Sequence, residues 1–419
     1  MAMRMKDSGI EWIGEIPEDW ELIQLKYLLQ PGNRGIKIGP FGSSLKLDDT
    51  DENGVFKVYG QENLIKNNFL AGKRFIDETK YRELEGYTVF PGDILISMMG
   101  TIGKCNVVPK GIQQGIMDSH LTRIRVDEEC IFNEYLELLI ADSDYIKVQF
   151  DLQSKGSIMN GLNSGIIKEL LVAKPSMDIQ HSIVNFIKNR CAEIDAVIAA
   201  KQRQNELLKE QRQSIVYEAV TKGLDPTVTY KDSGVDWIGE IPAGWEVRKI
   251  KYVARMKSGE SITATLIDEQ GKYPVYGGNG LRGFAENFTH DGRYILIGRQ
   301  GALCGNVHLV EGKFWASEHA VVVDVFEEYL VDWFDNVLQA MNLNQYSESA
   351  AQPGISVDRV LNLSAPVPPK KMQETMVAFL NAKCAELDRV VSANNAVIDK
   401  LKEYRQSLIY EAVTGKIAV

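Results

Sequence analysis

Two stretches of this chain occur twice, in the same order. Residues 6–22 read KDSGIEWIGEIPEDWEL and residues 231–247 read KDSGVDWIGEIPAGWEV. Residues 207–221 read LLKEQRQSIVYEAVT and residues 400–414 read KLKEYRQSLIYEAVT. Between each first stretch and the second stretch that follows it, the sequence differs. The order is A–B–A′–B′, a frame used twice around two dissimilar inserts. Such a plan points to one activity done at two places with two specificities. The register supports duplication. Trp12 matches Trp237 at 225 positions, Val58-Tyr59-Gly60 matches Val275-Tyr276-Gly277 at 217, and Ile94-Leu95-Ile96 matches Ile295-Leu296-Ile297 at 201. From Gly161 and Gly354 onward the separation stays at 193. It only falls, so the copies are collinear and the first insert is the longer. Two unrelated fused domains would give no such series.

At 419 residues the chain has room for two or three domains, each able to bury a core. With 44% hydrophobic and 25% charged residues it reads as a soluble globular protein. No apolar run is long enough to span a membrane, and the start, MAMRMKDSG, lacks the apolar stretch of a signal peptide. A cytoplasmic protein is expected. The five cysteines, at 105, 130, 191, 304 and 384, form no CxxC pair. Cys191 and Cys384 are the same repeat position, so buried reduced thiols are expected rather than a redox or metal site. The net charge is −10, and neither insert is basic. Residues 23–160 hold 16 Lys+Arg against 19 Asp+Glu, and residues 248–353 hold 10 against 13. If the partner is DNA, this chain alone should bind it modestly, because phosphate neutralisation supplies much of non-specific affinity. A local groove can still be positive on an acidic protein.

The second stretches read as long helices. Ile187, Ile194, Lys201, Leu208 and Ile215 recur every seven residues, and Leu380, Leu387, Asn394, Leu401 and Leu408 do the same. Sustained heptads argue for a coiled coil, with the polar step at Lys201 and Asn394 placed alike in both. A polar seam residue fixes register; the alternative is that this step faces solvent. Pro175 precedes the first helix, Pro366, Pro368 and Pro369 the second, and Gly223 and Gly415 lie near the ends. From Asp178 to Lys222 the helix would run about 67 Å.

The inserts read as mixed and strand-rich. Short β-type runs at 93–97, 121–126, 293–297 and 320–325 are bounded by Gly, Asn and Asp, and helical stretches lie near 133–149 and 328–343. Glycine gathers at Gly32, Gly35, Gly39 and Gly42, and again at Gly277, Gly278, Gly280 and Gly283. Two loops imitate nucleotide motifs. Gly278 to Gly283 fits GxGxxG, but FAENFTHDG after it is a poor helix and no acidic residue follows at the needed distance. Met98 to Cys105 imitates a P-loop, with Met98 for the first glycine and Cys105 where Ser or Thr should bind magnesium. Both readings are rejected. His120 and His319 precede strands at nearly corresponding places and, lacking Cys or carboxylates at ligand spacing, read as satisfied structural histidines. There is no nucleophile elbow, no HExxH and no DPPY or NPPY methyltransferase tetrapeptide. The twin WIGEIPxxW segments, at 12–20 and 237–245, read as rigid apolar anchors where each insert docks on the frame.

These features together resemble the specificity (S) subunit of type I restriction–modification systems. The resemblance is carried by the twin WIGEIPxxW starts, KIGPFGSSL at 37–45, PVYGGNG at 274–280, the related SMMGTIGK and IGRQGALCGN loops, and the helix endings RQSIVYEAVT and RQSLIYEAVT. It covers the whole chain. It implies an α/β (mixed α+β) fold: two globular target-recognition domains separated by two long antiparallel α-helices that form a coiled coil, with internal pseudo-two-fold symmetry. On the sequence the parts fall at 1–177, 178–224, 225–368 and 369–419, domain and spacer helix in turn. The family pattern implies that each domain reads one half of a split double-stranded DNA target. Methyltransferase (M) subunits would dock on the helices and methylate adenine with S-adenosylmethionine, and the restriction and translocase (R) subunit would join that complex. The chain itself would need no cofactor and catalyse nothing. Two such heads should meet DNA about one helical turn, roughly 34 Å, or a multiple apart. Because the inserts differ, the target should be asymmetric.

Base and phosphate contacts are expected in glycine-rich loops with polar and basic side chains. In the first insert these are Arg34, Lys37, Ser43, Ser44, Gln61, Asn63, Thr101 and Lys104. In the second they are Lys257, Ser258, Thr263, Asn279, Arg282, Arg299 and Gln300. The alternative is that these loops serve folding and the readers lie elsewhere. Three other functions compete: a stand-alone two-headed DNA-binding regulator, a fused restriction–modification enzyme, and a structural adaptor that never touches DNA. The first is disfavoured by the acidic inserts and the second by the missing catalytic motifs. The third is separated by whether specific binding appears once M subunits are added.

Overall fold

The computed structural model describes residues 4–99, 103–154, 162–301, 303–347 and 354–419, except the side chains at 33, 153 and 154. The chain divides into two compact units, residues 1–200 with 397–419, and residues 201–396. Both long helices are present, Met177–Lys222 and Lys370–Val413. Each gives one half to each unit.

In the second unit the insert forms a six-stranded sheet. Its order is Ala254–Ser258, Ala320–Val325, His290–Gly298, Val307–Ala316, Tyr273–Gly277 and Gly280–Ala285. All neighbours are antiparallel except Tyr273–Gly277 beside Val307–Ala316, which run parallel. The period of two sorts the core. Ile295, Ile297, Val321 and Val323 pack with Trp333, Phe334, Val337 and Leu338 of the helix Val331–Ala340. Leu296 and Val322 face the other way and pack with Val310 and Phe314.

The first unit repeats this plan with one strand broken. Ile36–Ile38, Leu121–Ile124, Ile94–Ser97 and Cys105–Val107 form a four-stranded sheet. Phe75–Ile76, Phe56–Tyr59 and Gly115–Met117 form a three-stranded one, again with a parallel pair, Phe56–Tyr59 beside Gly115–Met117. Cys105–Val107 and Gly115–Met117 together do what Val307–Ala316 does alone. Pro109 and Gly111, at φ +79°, lie in the gap, and a proline cannot donate to a ladder. The helical stretch expected near 133–149 is two helices, Asn133–Asp142 and Asp144–Ser154. Ser143 between them is extended.

Each insert leaves and re-enters the frame through a pair of adjacent strands. Glu21–Gln24 pairs with Leu171–Lys174, and Glu246–Lys249 pairs with Ser364–Val367. The WIGEIPxxW segments pack on helix ends. In the second unit Ile238, Ile241 and Trp245 are buried with Val216, Ala219 and Val220 of the first long helix. In the first unit Ile13, Ile16 and Trp20 are buried with Ile409, Ala412 and Val413 of the second. A tyrosine seals each joint: Tyr217 donates to Ile238 O at 3.3 Å and Tyr410 to Ile13 O at 3.0 Å.

The helix halves pair antiparallel within each unit. In the first, Ile187 and Ile194 share a core with Leu401 and Leu408, and Arg405 Nε lies 3.8 Å from Asp195. In the second, Ile215 and Val216 share a core with Leu380. Leu208 and Leu387 are half-buried. The polar step faces the partner helix, not solvent. Asn394 is 4% exposed; it donates to Asn205 Oδ1 at 2.8 Å and accepts from Lys201 Nζ at 3.0 Å. Asn205 donates in turn to Asn395 Oδ1 at 2.9 Å. A satisfied polar layer of this kind fixes register. Cysteines placed at Asn205 and Asn394 are expected to crosslink on oxidation, read by gel mobility. No crosslink there would remove the antiparallel seam.

All five native cysteines are free, and four of them, Cys105, Cys191, Cys304 and Cys384, are buried. Among the described residues no helix is long and apolar enough to cross a membrane, and no cluster of ligands could hold a metal.

Glu137 and Asp335 occupy matching places on the two insert helices, and burial raises both carboxyls. Asp335 is pushed up to about 6 from 3.8, against a counteracting hydrogen bond from Gln339 at 2.7 Å. Its folded value exceeds the unfolded one, so ionising it above about 6 costs native stability, on the order of 2–3 kcal/mol. That cost is relieved as pH falls from 6 toward 3.8. Asp335→Asn is expected to raise the denaturant midpoint at pH 8 and to flatten stability between those values. An unchanged midpoint at pH 8 would contradict it.

Candidate nucleic-acid interface

At one end of the second unit's sheet, four connections converge. Gly259 donates to Ala320 O at 2.9 Å, Arg299 N to His319 O at 2.9 Å, and Ser317 N to Tyr276 O at 2.9 Å. The approach is close enough to demand glycine: a Cβ on Gly259 would lie 2.3 Å from Ala316 O. The GxGxxG run is the hairpin between Tyr273–Gly277 and Gly280–Ala285, with Gly280 at φ +89°. It is followed by a strand, so no helix N-terminus stands where a pyrophosphate would need one.

Most of the expected contacts of this insert meet here. Arg299 Nη1 donates to Ser258 Oγ at 3.2 Å, which fixes the guanidinium beside the strand end. Gln300 is exposed next to it. Asn279 is exposed in the hairpin turn, and Arg282 is exposed with its side chain beside Gly277. Thr263 follows Ile262, whose N–H reaches Glu318 at 3.4 Å; its hydroxyl lies 3.0 Å from Thr265 Oγ1. Lys257 is exposed on the edge strand, opposite Val322.

The first unit has the same convergence. Gly39 donates to Leu121 O at 2.8 Å, Met98 N to His120 O at 3.0 Å, and Asp118 N to Tyr59 O at 2.9 Å. Gln61 lies at this end and donates to Ser97 Oγ at 2.7 Å. Lys104 is exposed after the loop, and Ser43 and Ser44 are exposed in the turn beyond Gly39. Thr101 lies outside the described residues.

Three expectations change. Asn63 is fully buried: it donates to Asn68 O at 3.0 Å and Ala71 O at 2.9 Å, and accepts from Gly60 N at 2.9 Å. It shapes a loop and cannot reach DNA. Arg34 is exposed but precedes Ile36, which pairs with Ile124 at the far end of that strand. Lys37 is half-buried with its ammonium 4.4 Å from the Tyr87 ring centre. Burial, then the Arg123 and Arg125 charges, push its value down.

The two histidines lie at the surface: their side chains are 52% exposed at His120 and 44% at His319, each beside a carboxylate. Arg74 was missed in the sequence because Gly72 beside it stands alone and outside the glycine clusters. Its guanidinium bridges Asp118 at 2.9 Å and Glu62 at 3.3 Å at the rim of this site.

The family of type I restriction modification DNA specificity domains matches residues 17–209 and 242–400. The specificity subunit of the Escherichia coli type I restriction enzyme EcoprrI is 45% identical over 133 residues. That match spans 31% of this chain and only about a third, 33%, of that protein. The MjaIX specificity subunit of Methanocaldococcus jannaschii is 23% identical over 97% of this chain and 95% of its own length. Among solved structures, a chain from work on complex assembly and conformational transition of the type I R-M system aligns with TM-score 0.73. It has 15% identity and covers 96% of this chain and 99% of that one. The HsdS subunit from Thermoanaerobacter tengcongensis aligns with TM-score 0.52 at 14% identity, over 96% and 98%. Matched in both halves and carrying the same recognition fold twice, the chain belongs to the type I restriction modification DNA specificity family.

Proposed function

We propose that this chain is the DNA-specificity subunit of a type I restriction–modification complex, with each insert reading one half of a bipartite, asymmetric target. One observation carries the reading. The two inserts share equivalent backbone hydrogen bonds at the converging loops, yet differ in the side chains displayed there. Met98 stands where Arg299 does, Asp118 where Ser317 does, and Ser119 where Glu318 does. Equal scaffolds with unequal surfaces suit two readers of different sequences. Glycines bring backbone close to the strand ends, while Arg, Asn and Gln supply donors and acceptors for base edges.

In this reading the long helices dock the M subunits, which bind S-adenosylmethionine and methylate adenine. The R subunit joins through that complex, in the cytoplasm where the DNA lies. This chain contributes position and sequence choice. Neither unit need hold DNA tightly alone, since the inserts are acidic overall.

Reconstitution with M subunits tests it. Sequence-specific binding should appear only in the complex, and labelled methyl groups should map to one adenine-containing site of two unequal halves. Tight specific binding by the chain alone would favour a stand-alone regulator. Methyl transfer by the chain alone would make it an enzyme, and no specific binding in the complex would leave an adaptor.

A further inference from the structure

Each insert presents a histidine at the same point of the same turn, and packing does not account for it. In the first unit Leu121 N returns to Asp118 O at 3.3 Å, and in the second Ala320 N returns to Ser317 O at 2.9 Å. His120 and His319 hold the third position of these turns. Their carbonyls take the equivalent bonds from Met98 N and Arg299 N. Their rings remain 52% and 44% exposed. An exposed turn position tolerates many residues. The positions around it have diverged, so keeping one exposed residue type in both copies implies a chemistry that both inserts need.

Two further features recur. A carboxylate stands beside each ring: Asp118 Oδ1 is 3.8 Å from His120 Nδ1, and Glu318 Oε1 is 3.3 Å from His319 Nε2. An arginine also crosses the equivalent glycine in each unit. A Cβ on Gly60 would meet Arg74 Nη2 at 2.1 Å, and one on Gly277 would meet Arg282 Cδ at 2.4 Å. Half-sites that differ in base sequence still share the sugar–phosphate backbone. An imidazole N–H is a donor for a phosphate oxygen, and such contacts position a protein without reading sequence.

We propose that His120 and His319 are equivalent DNA-backbone contacts, one per insert, which seat each unit while the diverged neighbours read bases. The proposal rests on the reading of the chain as a DNA-specificity subunit. The full chain with M subunits is titrated, by fluorescence anisotropy, onto a cognate duplex and a scrambled one. His120→Ala and His319→Ala should each weaken binding to both duplexes by about tenfold, with the methylated adenines unchanged. Their effects should multiply in the double variant, and His→Gln, which keeps a donor, should recover part of the loss. Unchanged affinity in either single variant overturns the proposal. So does a loss confined to one base-pair position, or a lowered melting temperature that marks a folding role. A wild-type complex with no preference for the cognate duplex would instead overturn the specificity-subunit reading. The histidine effect would still be measurable on scrambled DNA, so the two failures stay distinct.

Discussion

Trp245→Ala should lower the stability of the second unit by about 3–5 kcal/mol, the usual cost of emptying a fully packed indole site. Trp245 is 2% exposed and packs with Val216, Ala219 and Val220 at the end of the first long helix. The chain turns directly beneath it, because a Cβ on Gly223 would lie 3.1 Å from the indole. No neighbour is free to fill the space: Ile238 and Ile241 are already buried in the same cluster. For a domain of this size each kcal/mol is about 2–4 °C of melting temperature. Trp20→Ala should cost a similar amount in the first unit, where Trp20 is 2% exposed against Ile409 and Val413. Trp237→Phe is the contrast. Trp237 is only half-buried and donates to Ser364 O at 3.0 Å, so losing that bond should cost only about 1 kcal/mol. Calorimetry separates these values. Equal, small losses at Trp245 and Trp237 would mean that the WIGEIPxxW segment is not an anchor.

How far the sequence could be read depended on repetition. The heptads placed both helices, because a seam repeated over many turns leaves little choice of partner face. The anchors were legible for a similar reason: two tryptophans and two isoleucines have few uses outside a core. The inserts were harder. Their strands are only two to four residues long in the first unit, too short for a period of two to stand out. The broken strand before Gly115 could not be seen without its intact counterpart, Val307–Ala316. The site suffered most. Glycine-rich loops pointed to one end of the sheet, where Arg299, Gln300 and Asn279 lie together. The same cue also pointed to Asn63, whose amide is consumed by three backbone partners. It missed Arg74, which acts through Asp118, 44 residues away in sequence. Hydrogen bonds between distant loops leave no periodic trace in a single chain.

Exchanging one insert should rewrite one half of the recognised sequence and leave the other half intact. The structure says where to cut. Glu246–Lys249 and Ser364–Val367 are paired strands, with Lys249 opposite Ser364, so residues 250–363 leave and rejoin the frame side by side. A cut after residue 353 would be worse. Ile355 N bonds to Arg299 O at 3.0 Å and Gln300 bridges Gly354, so that cut would set a foreign loop against native backbone. A chimera joined at 249 and 364 keeps both long helices, the Asn205–Asn394 layer and the whole first unit. Methylation mapping of the reconstituted complex should therefore show one half-site of the donor and one of the parent. Within the native insert, Arg299→Ala should act more narrowly. Arg299 is held by Ser258 and faces the converging loops, so as a base reader it should relax one position by about 1–3 kcal/mol. A phosphate contact would instead weaken all sequences alike. If the exchange altered both half-sites together, sequence choice would not be divided between the inserts, and their matching folds would need another explanation.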